Sequence, residues 1–191
     1  MGIYKYIRDQ WNNNSPEYKA LYRQRLIAWR SEESTTRIEH PTRLDRARSI
    51  GYKAKPGFIL VRQRVGRGGH KTKKIRAGRK PRSYNQTLSL HKNYQWIAEE
   101  RAHNHYPNLV LLNSYPVAKD GKYAWYEIVL VDPQNPVIAA DPDLQWVSHP
   151  AERSRVYHGK TSAGKRVRGL RWKGMGVEKA RPSRRAHLRR Q

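Results

Sequence analysis

The stretch NLVLLNSYPVAKDGKYAWYEIVLVDP (Asn108–Pro133) predicts the centre of the fold. An apolar run at Leu109–Leu112 is followed by Asp120-Gly121 and then by a β-rich run at Tyr123–Val131. Asp-Gly between two such runs is a strong short-range signal for a hairpin. Pro133 ends the second run, since proline has no N–H to donate to a strand ladder. We therefore predict a β-hairpin here.

A helix is predicted immediately before the hairpin. One helical face, with i, i+3, i+4 and i+7 spacing, runs through SLHKNYQWIAEERAHNH (89–105) at Tyr94, Ile97, Ala98 and Arg101. Trp96 lies to one side of this face. A helix followed by a hairpin indicates an α+β unit.

A further strand is predicted at GFILVRQRV (Gly57–Val65). Ile59 and Val61 fall on one face of this strand, and Arg62 and Arg64 fall on the other. The strand leads directly into a basic segment that we call the first arm.

Helices are also predicted near the N-terminus. Tyr4, Ile7 and Trp11 share one helical face, and Ser15 is placed to cap a second helix that has Pro16 at its first position. A helical stripe follows at Tyr18, Leu21, Tyr22, Leu26 and Trp29. In a third helix, Thr42 is the predicted cap, with Asp45 three residues later and Gly51 as the stop.

The fold class that these patterns indicate is α+β, a small mixed body of helices and a β-hairpin or sheet with long basic irregular extensions. We predict an N-terminal helical region at 1–56 and a C-terminal basic extension at 153–191. Between them lies an α+β body at 57–152, with the first arm inserted at about 62–90.

The net charge of +25 is divided by region. Residues 1–45 carry a net +2 and residues 99–152 a net −5, whereas residues 46–98 carry +15 and residues 153–191 carry +13. The segment 46–98 holds fifteen Lys or Arg and no carboxylate. Such unmixed charge repels itself unless a polyanion neutralises it.

Nucleic acid fits this charge better than an anionic membrane does. A membrane-surface helix needs an apolar face, yet Arg62–Arg82 has only Val65, Ile75 and Ala77 as aliphatic residues and five Gly or Pro. Lys and Arg pair with phosphates and release counterions on binding. Aromatic residues interleave with the basic ones, either to stack on unpaired bases or to pack in the core, at Tyr84, Tyr94, Tyr157 and Trp172.

Composition alone does not choose between RNA and DNA. Cys-based zinc fingers are excluded because the chain has no cysteine, and no RNA-recognition or helix-turn-helix motif is evident. Long irregular basic arms favour a folded RNA, and a chromatin-like DNA-binding protein is the alternative.

Other chemistries find little support, so we predict a protein that is not an enzyme and holds no metal or cofactor. Gly159–Lys165 resembles a phosphate-binding loop, but Arg166 stands where the motif needs Ser or Thr. Glu99 and Glu100 are adjacent, and His103 and His105 are two residues apart. On a helix, residues at these spacings point to different faces, so neither pair is arranged for paired-carboxylate catalysis or metal binding.

The sequence also predicts an intracellular protein without a membrane partner. The N-terminal MGIYKYIRDQW lacks the apolar stretch of a secretory signal. The longest apolar runs, such as Ile128–Val131, are far too short to cross a bilayer.

Eight segments, in order from end to end, resemble the large-subunit ribosomal protein fifteen-e family of archaea and eukaryotes: MGIYKYIRDQW, RARSIGYKAKPGF, AEERA, LNSYPV, VLVDP, DLQWV, TSAGKRVRGL and SRRAHLRR. The tail KGMGVEKARPS is more similar to archaeal members. This resemblance implies a structural constituent of the large subunit in the cytoplasm. Its extensions would be threaded among segments of large-subunit rRNA, beside neighbouring ribosomal proteins and without a small-molecule substrate.

The resemblance places rRNA contacts on three matching segments, at Lys53, Lys55, Arg62, Arg64, Arg67, Lys165, Arg166, Arg168, Arg184 and Arg185. The basic composition of the arms adds Lys71, Lys73, Lys74, Arg76, Arg79, Lys80, Arg82 and Arg171. Reversing Arg62, Arg64 and Arg67 to Glu is expected to abolish stable incorporation. We expect the arms to be disordered before assembly.

Overall fold

A computed structural model describes residues 2–13, 15–69, 77–79, 90–172, 174, 177–178, 180–183 and 186–188. Most of the predicted first arm and part of the C-terminal tail lie outside these residues. The expectation that the arms are disordered before assembly falls largely on those segments and stays a prediction.

A four-stranded antiparallel sheet organises the body, and its spatial order is β1-β2-β4-β3. Its strands are β1 (Thr35–Ile38), β2 (Phe58–Gly66), β3 (Val110–Lys119) and β4 (Tyr123–Val131). The predicted hairpin is confirmed as β3–β4. The Asp120 side chain closes its turn by accepting hydrogen bonds from the backbone N–H groups of Lys122 and Tyr123 at 2.7 and 2.5 Å.

Strand β4 is covered on both faces, which explains its nearly continuous apolar sequence. Trp125 and Val129 point into one hydrophobic cluster, and Ile128 and Leu130 point into the other. All four side chains are almost fully buried. Each such burial contributes about 1.5–3 kcal/mol to folding, so β4 is the shared wall of both cores.

Helices lie on both sides of the sheet. Within the described residues they are α1 (Ile3–Asn12), α2 (Pro16–Ser31), α3 (Leu44–Ser49), α4 (Tyr94–His105), α5 (Pro136–Ala139) and α6 (Ser162–Val167). Residues of α2, α3 and α5 share one core cluster, and residues of α4 and α6 share the other. Short 3₁₀ turns occur at Gln145–Ser148 and Pro150–Glu152. None of the helices described here has the length and hydropathy that crossing a bilayer requires.

The predicted helix α4 is confirmed, and its predicted face is confirmed in part, since Ala98 is buried and Tyr94 and Ile97 pack against the core, whereas Arg101 does not. The buried residues are Trp96, Ala98, Glu99, Ala102 and His103, whereas Arg101 is exposed and Tyr94 and Ile97 are only half-buried. The helix is rotated so that a carboxyl and an imidazole face inward. Hydrophobic periodicity cannot anticipate this, because it scores Glu and His as surface residues.

The N-terminal predictions are confirmed in part. The Ser15 hydroxyl accepts a hydrogen bond from the Tyr18 N–H at 3.2 Å, so Ser15 caps α2 with Pro16 in its first turn. Of the predicted helical stripe on α2, Leu26 and Trp29 are buried, whereas Leu21 is 43% exposed. Thr42 was wrongly predicted to cap α3, because the N-cap residue is Arg43 and the Thr42 side chain bonds elsewhere.

Strand β2 shows the predicted alternation. Val61 and Val65 are buried against α4, with Ile59 half-buried beside them. Arg62 and Arg64 lie on the opposite face, above the Trp29 and Tyr123 rings.

The glycines of the loop that resembles a phosphate-binding motif serve close packing. Gly159 adopts a left-handed φ of +60°, and Gly164 lies against it at the start of α6. A Cβ on Gly164 would come within 2.4 Å of the Gly159 Cα. The Thr161 hydroxyl accepts a hydrogen bond from the Gly164 N–H and so caps α6. These residues set the path of the chain where the C-terminal extension begins.

We expect Gly164→Ala to lower the free energy of unfolding by about 1–3 kcal/mol, because the added methyl group overlaps backbone atoms that cannot easily move. Urea unfolding followed by tryptophan fluorescence measures this. Gly66→Ala is the control, since a Cβ there meets no atom within 4 Å and the φ is ordinary. Equal stability of the two variants would contradict the packing role.

Candidate nucleic-acid interface

Most carboxylates of the acidic stretch 99–152 are engaged inside the protein, although the Asp143 side chain is 81% exposed. Each of its eight carboxylates accepts hydrogen bonds within the chain, and five of them pair with Lys or Arg: Glu100, Asp120, Asp141, Asp143 and Glu152. Asp132 closes a turn by accepting from the Gln134 N–H. Glu99 and Glu127 are buried among hydroxyl groups. These carboxylates fix the structure instead of repelling a polyanion.

Glu99 holds the start of the C-terminal extension. Its side chain is fully buried, and it accepts hydrogen bonds from the Ser114 hydroxyl on β3 at 2.5 Å and from the Thr161 hydroxyl at 2.6 Å. Burial raises the pKa of Glu99 to about 7, although the two hydroxyl donors oppose the shift. The same carboxyl thus ties α4, β3 and the cap of α6 together.

Glu127 does the same for the N-terminal region from the other face of the sheet. The N–H of Thr42 donates to one of its oxygens at 3.0 Å, and the hydroxyls of Thr42 and Tyr115 donate as well. Burial raises the pKa of Glu127, against the effect of these donors. The Thr42 side chain therefore joins the loop before α3 to the central strand.

Several predicted rRNA contacts turn out to have partners inside the protein. Arg62 lies over Trp29 and pairs with Glu32 at 2.7 Å, leaving its side chain 11% exposed. Lys53 and Lys55 both bond to Asp141, at 2.8 and 2.5 Å. These hydrogen bonds, with Lys53 contributing most, hold the pKa of Asp141 well below its usual range.

Other predicted contacts are bound only to neutral groups or reach solvent. Arg64 donates to the Arg30 carbonyl at 2.5 Å, and Arg67 donates to the Asp120 carbonyl and is exposed. Arg168 donates to backbone carbonyls and Arg171 to the Ser162 hydroxyl. The side chains of Arg79, Lys165 and Arg166 are exposed as well.

Eight predicted contacts lie outside the described residues: Lys71, Lys73, Lys74, Arg76, Lys80, Arg82, Arg184 and Arg185. Arg62 and Arg64 lie on β2, and Arg67 follows directly after its last residue. Lys165, Arg166, Arg168 and Arg171 are close in sequence at α6. All remain predictions as RNA contacts.

An open cleft of about 950 Å³ was not anticipated from the sequence. It lies between α2 and the end of edge strand β3, where a bulge at Pro116–Ala118 interrupts the pairing with β4. Five aromatic residues line what we call the aromatic cleft: Trp11, Tyr18, Tyr22, Tyr94 and Tyr126. The spacing of Tyr18 and Tyr22 on α2 was the sequence signal for this cleft. The same spacing is equally typical of a helix face that packs in the core.

Among the described residues of this interface, no side chains are grouped as a metal-binding or catalytic site would require. Across the described ranges, no three His, Asp or Glu side chains come together as candidate metal ligands. His103 is buried on α4, where its ring nitrogens bond to the Arg153 carbonyl at 3.0 Å and the Tyr157 hydroxyl at 3.2 Å. Burial lowers the pKa of His103, so it joins α4 to the C-terminal extension as a neutral group.

An α+β body that uses its carboxylates internally and displays cations is typical of a structural component of a nucleoprotein particle. The family model described as Ribosomal L15 matches residues 2–187, and the chain belongs to this family. Two curated archaeal relatives, both called "Large ribosomal subunit protein eL15", agree. The protein of Thermoplasma volcanium is 50% identical over 190 residues, covering 98% of this chain and 96% of its own. That of Nanoarchaeum equitans is 45% identical over 189 residues, covering 99% and 100%.

The resemblance inferred from the eight sequence segments is thereby confirmed. The chain is a structural protein of the large ribosomal subunit, and it serves translation in the cytoplasm and is not an enzyme. The similarity of its tail to archaeal sequences agrees with the archaeal source of both relatives.

The buried Glu99 predicts a pH dependence of stability. Between pH 4.5 and 7 the folded protein keeps a proton that the unfolded chain has lost, so the free energy of unfolding falls as the pH rises. This contribution is fully present below pH 4.5 and is lost above pH 7, at a total of about 3 kcal/mol. Glu99→Gln stays neutral at every pH and removes it.

Urea unfolding at pH 5 and pH 8 measures the effect. We expect the wild type to lose roughly 2.5 kcal/mol more than Glu99→Gln between these values, since part of the contribution is already lost at pH 5. Glu100→Gln is the control, since Glu100 pairs with Lys92 near the surface. Parallel losses in wild type and Glu99→Gln would show that the carboxyl is ionised in the fold.

Proposed function

We propose that the protein binds folded large-subunit rRNA through its Lys- and Arg-rich extensions and so stabilises the RNA fold of the subunit. Family membership supports a structural role in that subunit. The further step, that the extensions are the RNA-binding parts, rests on how the charges are distributed.

One observation carries the proposal: the carboxylates of the body already accept hydrogen bonds or form ion pairs inside the protein. Of the fifteen bases in residues 46–98, those paired with a carboxylate in the described structure are Lys53, Lys55, Arg62 and Lys92. The described remainder of this segment, including Arg64 and Arg67, has no carboxylate partner among residues that the structure covers. Phosphates are the anions that can neutralise such a run, and counterion release then favours binding.

The described backbone of the first arm suits close contact with RNA. Arg67 donates its N–H to the Lys122 carbonyl at 2.7 Å, which fixes the point where the arm leaves the sheet. Gly68 then adopts a φ of +123°, a conformation that few other residues accept. Gly66 and Gly69 have no Cβ to obstruct a neighbouring backbone. The described start of the arm is thus anchored at the end of β2 and rich in glycine, which allows its backbone to lie close to RNA.

The nature of the polyanion is tested by nuclease treatment of native complexes. RNase is expected to release the protein from material that sediments with the large subunit, and DNase is expected to leave it bound. Release by DNase alone would favour the chromatin-like alternative.

The role of the extensions is tested by charge reversal at the C-terminal one. Lys165 and Arg166 are exposed in the last turn of α6, so Lys165→Glu with Arg166→Glu leaves the internal ion pairs intact. We expect the slope of log Kobs against log salt for rRNA binding to become less steep by roughly 2, since two phosphate contacts are lost. We also expect occupancy of the subunit to drop after a wash in roughly 0.5 M salt.

Arg37→Glu with Arg101→Glu is the matched control, because it changes the net charge equally at two exposed bases outside the extensions. Occupancy is measured by quantitative mass spectrometry against large-subunit rRNA on a sucrose gradient. Equal losses in the two double variants would mean that only total charge matters, and the extensions would have no special role. The triple reversal of Arg62, Arg64 and Arg67 is less informative, since Arg62 also supports the fold through Glu32 and Trp29.

A further inference from the structure

The aromatic cleft combines ring faces with uncompensated positive charge. Six bases line it: Lys19, Arg23, Arg30, Arg43, Arg67 and Lys119. No Asp or Glu is among the described residues that form its walls. Arg30 is paired with Asp120 and Arg43 with Asp45, which leaves four bases without a carboxylate partner in the part of the chain that the structure describes.

Two of the tyrosines are fixed in place by backbone hydrogen bonds. The Tyr22 hydroxyl accepts from the Lys119 N–H at 3.2 Å and donates to the Lys119 carbonyl at 3.4 Å. The Tyr94 hydroxyl makes the same pair of bonds with Gly68, at 2.9 and 3.0 Å. Rings held in this way lose little further freedom when a ligand binds.

The remaining rings extend the apolar wall. Tyr18 stacks near Tyr22, with ring centroids 6.4 Å apart and planes 25° apart, and Trp11 meets Tyr18 edge-on at 5.9 Å. Tyr126 is half-buried, and its hydroxyl has no hydrogen-bond partner among the described residues. The cleft thus offers aromatic surface and a hydroxyl inside a rim of Lys and Arg.

We propose that the aromatic cleft receives an unpaired nucleotide extruded from the large-subunit rRNA, and this inference rests on the proposed function. The base stacks on the tyrosine rings, and the phosphates beside it contact Lys19, Arg23, Arg67 and Lys119. The cleft volume lies near the upper end of the ~300–1,000 Å³ range of small-ligand sites, which suits a nucleotide with its sugar and phosphate.

An unpaired nucleotide fits this chemistry better than duplex RNA or an acidic peptide. In a duplex the base faces are stacked on one another and cannot reach a concave wall of rings, whereas bases in loops and bulges are recognised by aromatic stacking. An acidic peptide would satisfy the cations and leave the ring faces unused. The position of the cleft also matters, because Gly68 joins its wall to the start of the first arm, so RNA that follows the arm passes the opening.

Zero-length ultraviolet crosslinking of intact large subunits tests the inference without any variant. Peptides are then mapped by mass spectrometry for nucleotide adducts. We expect adducts on peptides that contain Tyr18, Tyr22 or Tyr126. Adducts confined to the basic extensions would overturn the cleft proposal and leave the proposed function standing. A protein free of RNA adducts altogether would count against both, and crosslinks from the cleft to a neighbouring protein would identify a peptide as the occupant.

A second test uses the full-length protein and two RNA hairpins, one with a bulged 2-aminopurine and one with the same base paired. Stacking in the cleft is expected to quench the bulged probe and not the paired one. Tyr18→Leu keeps apolar volume but removes a ring, and we expect roughly tenfold weaker binding of the bulged hairpin with unchanged binding of the paired one. Tyr6→Leu is the control, since Tyr6 is 66% exposed on α1, outside the cleft.

The two hairpins separate the possible failures. Equal binding and quenching by wild type and Tyr18→Leu would overturn the cleft as a nucleotide site. If neither hairpin binds to the wild type, the proposed RNA binding fails as well. Lys19→Gln with Arg23→Gln changes exposed side chains and leaves the rings in place. We expect this double variant to weaken binding of the bulged hairpin more than binding of the paired hairpin. Equal weakening of the two hairpins would contradict the proposed phosphate contacts.

Discussion

Carboxylates of the central body hold both ends of a strongly cationic chain onto one sheet. The chain has 40 Lys or Arg and 15 Asp or Glu, so self-repulsion opposes folding unless the few acids are well placed. Glu127 fixes the N-terminal region from one face of the sheet, and Glu99 fixes the C-terminal extension from the other. Asp141 restrains the segment that leads into β2. These contacts fix the points of the body from which the cationic segments extend.

Positive charge in the sequence therefore does not by itself mark an RNA contact. Lys53, Lys55 and Arg62 belong to the same acid-free segment as Arg67, yet they are partly consumed by ion pairs that hold the fold together. Lys19 lies in a region whose net charge is only +2, yet it has no carboxylate partner within the described structure. Removing one partner of a half-buried pair leaves the other charge uncompensated, so substitutions at the paired bases affect folding before they affect binding.

The local signals in the sequence were sufficient for the hairpin, strand β2 and the Ser15 cap, because each depends on neighbouring residues. They failed where long-range contacts decide the outcome. The buried face of α4 includes Glu99 because two hydroxyl groups donate hydrogen bonds to its carboxyl group. These hydroxyls belong to Ser114 on β3 and to Thr161, which are 15 and 62 positions away in the sequence. Thr42 donates hydrogen bonds to Glu127, which is 85 positions away, instead of capping α3 as expected. The aromatic cleft was missed for the same reason, since its rings come together only when α2 meets the end of β3.

The order of the strands has a consequence for synthesis on the ribosome. Strand β4 lies between β2 and β3, yet it is the last of the four in the chain. While the polypeptide is being made at roughly 5–20 residues per second, β2 waits several seconds for β4. Through that interval β2 can pair only with β1, and one of its edges stays open beside a newly emerged cationic arm. The nascent chain thus exposes an unpaired strand and a polycation together, the combination most in need of a chaperone or an early RNA partner.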